Sequence, residues 1–302
     1  MWSAAGSKVL RTFCDNRRMG RVAPRICLLV AAICTIAGTY AAASRGRPFR
    51  FVILGDRTGE TRPGVYEQIW READSERPDF VINVGDTIQG GDDATAGAEW
   101  KALRPLFDRY SRYPLYFTPG NHDIWSPDSR RIYERVTRRP AHYGFDYENA
   151  HFTILDNSQS DELSTGELDF LEQDVSAHHA QSPKFVLFHR PSWLIPVLFQ
   201  NPGIRLHQIA KKYGIGYVIS GHVHKFARFE MDGIVYLMVG SSGAHLRGSK
   251  FEDGWFYHHV LVNVAGDRVR LTVKEAAPPF GLGRSFAAAT WKTIAPAGAL
   301  QP

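Results

Sequence analysis

Residues 49–56 read FRFVILGD, and this stretch decides the fold. It is a short apolar run with β-branched Val52 and Ile53, closed by Gly55-Asp56. Such a run reads as a buried strand that delivers a polar residue at its carboxyl end. Residues 80–86 (FVINVGD) repeat the pattern, and residues 115–122 (LYFTPGNH) repeat it again. Between them, 64–76 is a helix candidate with Val65, Ile69 and Trp70 near one face. In 97–112, Trp100, Leu103, Leu106 and Phe107 recur at helical spacing. Alternating strands and helices predict a layered α/β fold. In an open α/β sheet the carboxyl edge of the strands is where ligands bind.

The second half continues with more strand. Residues 145–147 and 151–155 form a hairpin around Glu148-Asn149. Ser164 or Thr165 caps a helix running to about His178, with Glu167 placed to complete a capping box from Ser164. FVLF at 185–188 is a strand ending in His189. Residues 206–213 are a short helix, and GYVIS at 216–220 is a strand ending in Gly221-His222-Val223-His224. Residues 226–273 read as successive strands with turns at Asp232-Gly233 and Gly266-Asp267. The stretch 276–302, rich in Ala, Pro and Gly, reads as a poorly ordered tail.

Five strand ends thus carry metal-ligand chemistry: Asp56, Asp86, Asn121-His122, His189 and His222-x-His224. Singly, a Gly-Asp is usually a turn and a lone His a satisfied core or surface residue. The His-x-His pair is stronger, because alternate residues of extended backbone project to one side. Five such ends in order are hard to obtain by accident. Mixed oxygen and nitrogen donors suit Mn, Fe, Zn or Co better than a calcium cage.

Here the chain resembles the calcineurin-like metallophosphoesterases, whose pattern is D-x-H, G-D-x-x-D, G-N-H-D/E, a lone His and G-H-x-H. This sequence shows Gly55-Asp56-Arg57-Thr58, Gly85-Asp86-Thr87-Ile88-Gln89, Gly120-Asn121-His122-Asp123, His189 and Gly221-His222-Val223-His224. The resemblance covers about residues 50–262. It implies a single α/β domain of four layers, α/β/β/α, over residues 47–275. It implies two divalent or mixed-valence ions, with Asp86 bridging them. Asn121, His189 and His222 would complete one site, and Asp56 and His224 would hold the other. A hydroxide activated by the metals would attack the phosphorus of a phosphate mono- or diester. His122 would stand beside the leaving oxygen as acid or electrostatic clamp, oriented by Asp123.

Two positions depart from that pattern. Thr58 stands where the family has His, and Gln89 where it has the distal Asp. Gln89 could lend its amide oxygen to the metal, water could complete the site, or one ion could bind loosely. The departures leave a non-catalytic binding module as the alternative to an enzyme, and a nuclease as the alternative substrate class. Three further residues are candidates for substrate contact. Arg57 follows Asp56, Arg190 follows His189, and His245 lies in the small-residue loop GSSGAH at 240–245. Guanidinium suits bidentate oxyanion recognition; the bland reading of each is a surface residue or a turn.

Composition bounds the rest. The chain has 302 residues, 44% hydrophobic and 22% charged, which is globular in character. Its net charge of +5 is carried by residues 1–43, where six basic residues face Asp15 alone. The remainder sums to zero, which excludes extended nucleic acid as the expected partner and leaves a small phosphoester. All three cysteines, Cys14, Cys27 and Cys34, fall in the same leader. Residues 26–43 read ICLLVAAICTIAGTYAAA behind Arg21 and Arg25, with an A-x-A site before Ser44. This describes a secretory signal, or else an uncleaved membrane anchor, with the body exported to the periplasm or beyond in either case. Translation from Met19 would give the signal an ordinary length. Arg17-Arg18 matches a twin-arginine signal poorly.

Overall fold

The computed structural model describes residues 46–277 and 281–293; the expected leader and its cysteines lie outside them. Strands β1 (Phe49–Leu54), β2 (Phe80–Asn83) and β3 (Leu115–Phe117) run parallel side by side. Beyond β1 the sheet grows antiparallel through β10 (His258–Ala265), β11 (Arg268–Ala277) and β12 (Gly281–Ala287), giving the order β12-β11-β10-β1-β2-β3. The second sheet contains β4 (Tyr143–Tyr147), β5 (Ala150–Ile154), β6 (Lys184–Leu187), β7 (Ile215–Ser220), β8 (Ala227–Met231) and β9 (Ile234–Met238). Its order is β4-β5-β6-β7-β9-β8, with β5, β6, β7 and β9 parallel.

Strand periodicity explains the layers. Phe51 and Ile53 of β1 point into a core shared with Phe80, Ile82, Phe152, Phe185 and Leu187. Val52 and Leu54, one residue out of step, point to the opposite face and meet Tyr66, Ile69 and Trp70 of α1 (Val65–Ser75). A strand covered on both faces has no polar side to show, hence the unbroken apolar runs. Aromatic rings join the sheets: Phe51 stacks on Phe80 at 4.9 Å and meets Phe152 edge-on at 5.2 Å. Behind the second sheet, Val186, Phe188 and Val218 are buried with Leu171 and Val175 of α4 (Thr165–Ala177), Val197 of α5 (Leu194–Leu198) and Ile209 of α6 (Arg205–Tyr213). The result is the four-layer α/β/β/α arrangement. Among the described residues no helix is long and apolar enough to cross a membrane.

Several elements differ from the sequence reading. Helix α2 spans Asp93–Arg109, starting four residues early because the Asp92 side chain accepts from the Ala94 amide as N-cap. Helix α3 (Pro127–Thr137) was not assigned; Ser126 caps it and Pro127 opens it. Ser164 does accept from the Glu167 amide, but the Glu167 carboxylate does not return to the cap. It holds the Asp156 amide and His142 instead. The tail expectation fails for residues 281–293. Strand β12 extends the sheet, and Phe286 and Trp291 stack on each other and pack among Phe226, Phe251 and Phe256. Two aromatics among small residues are enough to anchor a segment whose composition looked featureless.

A buried cation ties α4 to the second sheet. His151 on β5 is fully buried, and its Nδ1 and Nε2 donate to Asp146 (2.7 Å) and Asp174 (2.8 Å). Thr153 adds a hydroxyl bond to Asp174 at 2.6 Å, and the His178 ring stacks on His151 at 4.0 Å. Donation from both ring nitrogens requires the imidazolium. Burial opposes that cation, but the bonds and charges of Asp174 and Asp146 outweigh it and raise the His151 pKa. Burial likewise opposes ionisation of Asp174, yet His151 and Thr153 lower its pKa. The raised histidine stabilises the fold below its unfolded pKa and loses that effect as pH rises through the folded value. The lowered carboxylate stabilises above its unfolded pKa and loses that as pH falls. His151→Gln is therefore expected to cost about 3 kcal/mol in mildly acid buffer, and distinctly less near pH 9. Urea unfolding of both proteins at the two pH values checks this; an equal cost at both removes the imidazolium from the account.

Candidate active site

The two sheets meet at the carboxyl ends of their parallel strands. Asp56, just past β1, forms an isolated bridge with Ser241, just past β9. Its amide donates to Gly240 O (3.0 Å), and its carbonyl accepts from Ser242 N (2.9 Å) and Ala244 N (3.1 Å). His189 crosses the other way: its Nδ1 donates to the Val84 carbonyl, past the end of β2, at 2.9 Å. The His222 amide donates to Asp56 Oδ1 at 2.9 Å, and the His122 amide to Asp86 Oδ1 at 3.0 Å.

Close approach dictates the glycines of these turns. A Cβ on Gly85, which has φ +110°, would lie 2.4 Å from His189 Nδ1, and one on Gly120 would lie 2.2 Å from Asp86 Oδ1. Asp86, His222 and His224 themselves adopt left-handed backbone, with φ of 55°, 69° and 58°. Each such residue costs on the order of 1–3 kcal/mol, held by the surrounding packing. The sharp turn after each strand is what aims these side chains into the cleft.

The side chains converge with their acceptor atoms inward. His189 Nε2 lies 3.1 Å from Asn121 Oδ1, 3.2 Å from Asp86 Oδ2 and 3.2 Å from His222 Nδ1. Because Nδ1 is committed to Val84, Nε2 is the atom offered to this group. His224 donates Nδ1 to the His245 carbonyl (2.8 Å), so its Nε2 lone pair is free. Asp86, His189 and His222 form one set able to surround a cation, and Asp56, Asp86 and His224 form a second; Asp86 belongs to both. Asp56 Oδ2 is buried without a hydrogen-bond partner. An acceptor-only cluster of this kind is satisfied by protons or by metal ions.

Its electrostatics show the same frustration. Burial pushes the Asp56 carboxyl up to about 8, against the pull of His189 and helped by repulsion from Asp86. Burial opposes Asp86 too, but the charge and hydrogen bond of His189 prevail and hold it at about 2. Burial disfavours the His189 cation, yet Asp86 and Asp56 raise it to about 9. Burial, then the His189 charge, lowers His222 to about 4, and burial lowers His224. Burial for Asp56, and the neighbouring carboxylates for His189, thus hold both groups toward their protonated forms, and a bound metal would displace those protons. His222 and His224 are neutral, the state a metal requires.

The remaining sequence candidates divide. His122 lines the cleft, but Asp123 does not orient it. Asp123 is fully buried and accepts from the amides of Thr87 (2.8 Å), Ile88 (3.3 Å) and Gly120 (2.9 Å), knitting two motif loops together. His122 Nδ1 instead contacts the Gln89 carbonyl, which leaves Nε2 toward the cleft. The two departures from the family pattern touch each other: Thr58 donates its hydroxyl to Gln89 Oε1 at 2.6 Å. One lone pair of the Gln89 amide oxygen remains.

The cleft is about 270 Å³, walled by Gly59, Glu60, Asp86, Gln89, Asn121, His122, His222, His224, His245 and Arg247. His245 thus belongs to the wall, whereas Arg57 and Arg190 do not. Arg57 donates to the Thr87 carbonyl (3.0 Å) beside the Tyr66 ring, and Arg190 pairs with Asp161 (2.5 Å). Both follow a ligand-type residue whose side chain enters the cleft, and successive residues of extended backbone point apart. Arg247 was missed, since nothing in LRGSK at 246–250 marks it out.

The sequence profile described as calcineurin-like phosphoesterase matches residues 49–226. No curated protein sequence matches significantly. Similar solved structures include the purple acid phosphatase PPD1 from yellow lupin seeds (TM-score 0.59, 18% identity, covering 81% of this chain and 54% of that one). This chain thus spans about half the length of the lupin protein. GAP50, the anchor in the inner membrane complex of Plasmodium, gives a TM-score of 0.57 at 15% identity, covering 84% of this chain and 93% of that one. A dimetal phosphatase from Danio rerio gives 0.53 at 13% identity, covering 81% and 99%. At such identities these likenesses speak for the fold. The profile spans more than half of the chain and contains Asp56, Asp86, Asn121, His189, His222 and His224, and on that ground this protein belongs to the calcineurin-like phosphoesterases.

Proposed function

We propose that this chain is an exported, metal-dependent hydrolase of a small phosphate mono- or diester. The observation that carries the reading is the acceptor-only cluster drawn from five strand ends, with His122 at its rim. The donor set fits two transition-metal ions, of Mn, Fe, Zn or Co type. Asp86 would bridge them. Asn121, His189 and His222 would serve one, and Asp56, His224 and the free lone pair of Gln89 the other. Bound there, the pair would polarise the phosphoryl group and acidify water.

The protein's own groups supply the rest. His122, held through Nδ1 by the Gln89 carbonyl, offers Nε2 to the departing oxygen; as the imidazolium it gives up its Nε2 proton there while the oxygen–phosphorus bond breaks, and is left neutral. His189 is kept in one tautomer by Val84, so its ring cannot turn away. Arg247 and His245 on the wall attract the anionic substrate. The apolar run with its A-x-A exit at 41–43 supports export, or anchoring if it stays uncleaved. The binding-module alternative draws on Thr58 and Gln89, which exchange a His and an Asp for a neutral pair.

Mn-supplemented protein is expected to hydrolyse p-nitrophenyl phosphate or its bis-ester. His122→Ala should lower kcat by roughly 10²–10⁴ with the fold intact. Asp123→Asn should instead destabilise by about 1–3 kcal/mol, because one loop amide loses its acceptor. No turnover with any metal, alongside tight ligand binding, would select the binding module. Metal uptake should release protons and weaken as pH falls, because Asp56 and His189 are both held toward their protonated forms. The double variant Thr58→His/Gln89→Asp should tighten the weaker metal by about 10-fold or more. Metal titration reads both effects; unchanged affinity in the double variant would take Thr58 and Gln89 out of the metal account. Amino-terminal sequencing of the exported protein should begin at Ser44 if the signal is cleaved.

A further inference from the structure

We propose that the substrate carries a second anionic group, seated in a subsite that opens from the catalytic cleft. The inference rests on the phosphoesterase reading above and deepens it. At about 270 Å³ the catalytic cleft is below the range of about 300–1,000 Å³ usual for whole small-molecule ligands. A substrate of that usual size extends beyond it. A second cleft of about 440 Å³ shares Glu60 and His245 with it, and is otherwise lined by Thr61, Arg62, Pro63, Leu246 and Tyr257. The two clefts are neighbours, and the remainder of the substrate would pass from one to the other over Glu60 and His245.

The chemistry of that path is specific. Arg247 stands on the catalytic wall and Arg62 in the second cleft. Among the described residues neither guanidinium has a carboxylate within 4.0 Å; at the junction His245 Nδ1 lies 4.0 Å from a Glu60 carboxylate oxygen. Some arginines at the same carboxyl edge are paired, as Arg190 is with Asp161 and Arg130 with Asp156. Glu60 is the one carboxylate at the junction, and its side chain is 84% exposed, so water screens it. Tyr257, Leu246 and Pro63 offer a partly apolar wall, suited to a flat or apolar body between the two anions.

The walls are fixed relative to each other. The Arg62 amide donates to the Gly243 carbonyl at 2.7 Å, and the His245 amide to the Gly59 carbonyl at 3.0 Å. The loop bearing His245 is in turn bonded to Asp56 through Ser242 and Ala244. The backbone of Arg62 and the metal-ligand turn are thus parts of one braced frame, and the guanidinium is free to take an oxyanion in bidentate fashion.

Calorimetric titration of the Mn-loaded protein with two non-hydrolysable probes tests this: benzylphosphonate, and the same molecule with a second phosphonomethyl group in the para position. The doubly anionic probe is expected to bind about 10-fold more tightly. Arg62→Ala should bring that ratio toward one, whereas Arg247→Ala, on the catalytic wall, should weaken both probes alike. A ratio near one in the unaltered protein overturns the proposal. So does a ratio that survives Arg62→Ala, or an Arg62→Ala protein that weakens both probes alike, since that marks a structural role. Turnover of p-nitrophenyl phosphate is measured separately. A protein that keeps the ratio without turnover loses the phosphoesterase reading and keeps the subsite; one with turnover and no ratio does the reverse.

Discussion

The hydrogen bond from His189 Nδ1 to the Val84 carbonyl holds the site together. It runs from the end of a strand in one sheet to the end of a strand in the other. By committing Nδ1 it decides which nitrogen of His189 faces Asn121, Asp86 and His222. It also fixes the separation of the two carboxyl edges, and with it whether donors from β1 and β2 can reach donors from β6 and β7. The aromatic layer of Phe51, Phe80, Phe152 and Phe185 sets the sheet spacing behind it. Packing brings the edges close, and this contact, with the bonds of Asp56 to Gly240, Ser242, Ala244 and His222, sets their register.

The strands of the first half and their polar ends were legible because they follow from elementary periodicities. Phe51 and Ile53 against Val52 and Leu54 is a period of two, and the polar residue after each apolar run marks the edge where a ligand belongs. Aromatic anchoring was less legible. Phe286 and Trp291 lie in a segment whose average composition is featureless, and their partners Phe226 and Phe256 are distant in sequence. The same holds for α3, where the cap and opening proline, Ser126-Pro127, were signals that a hydrophobic pattern alone does not weigh.

Within the site, sequence order misled where adjacency was taken for contact. Asp123 follows His122, so it was expected to orient that ring. It serves three backbone amides instead, and the ring is held by a main-chain carbonyl thirty-three residues earlier. A main-chain acceptor leaves no trace in residue identity. Thr58 and Gln89 were seen as two separate departures, and the fold shows them to be one hydrogen-bonded pair. Arg247 was invisible because its importance comes only from where its loop is braced.

The left-handed turns at Asp86, His222 and His224 have a consequence for reading decay in such sites. Asp, Asn and His are among the few side-chain types that tolerate this backbone region. At these three positions the demands of coordination and of chain geometry select the same alphabet. A descendant that abandoned chemistry would still be held near these residues by its own backbone. Asn121 and His122 are under no such constraint, since their φ angles are ordinary. Drift would reach those two first, which makes them the better witnesses to a working enzyme than the more conspicuous G-H-x-H.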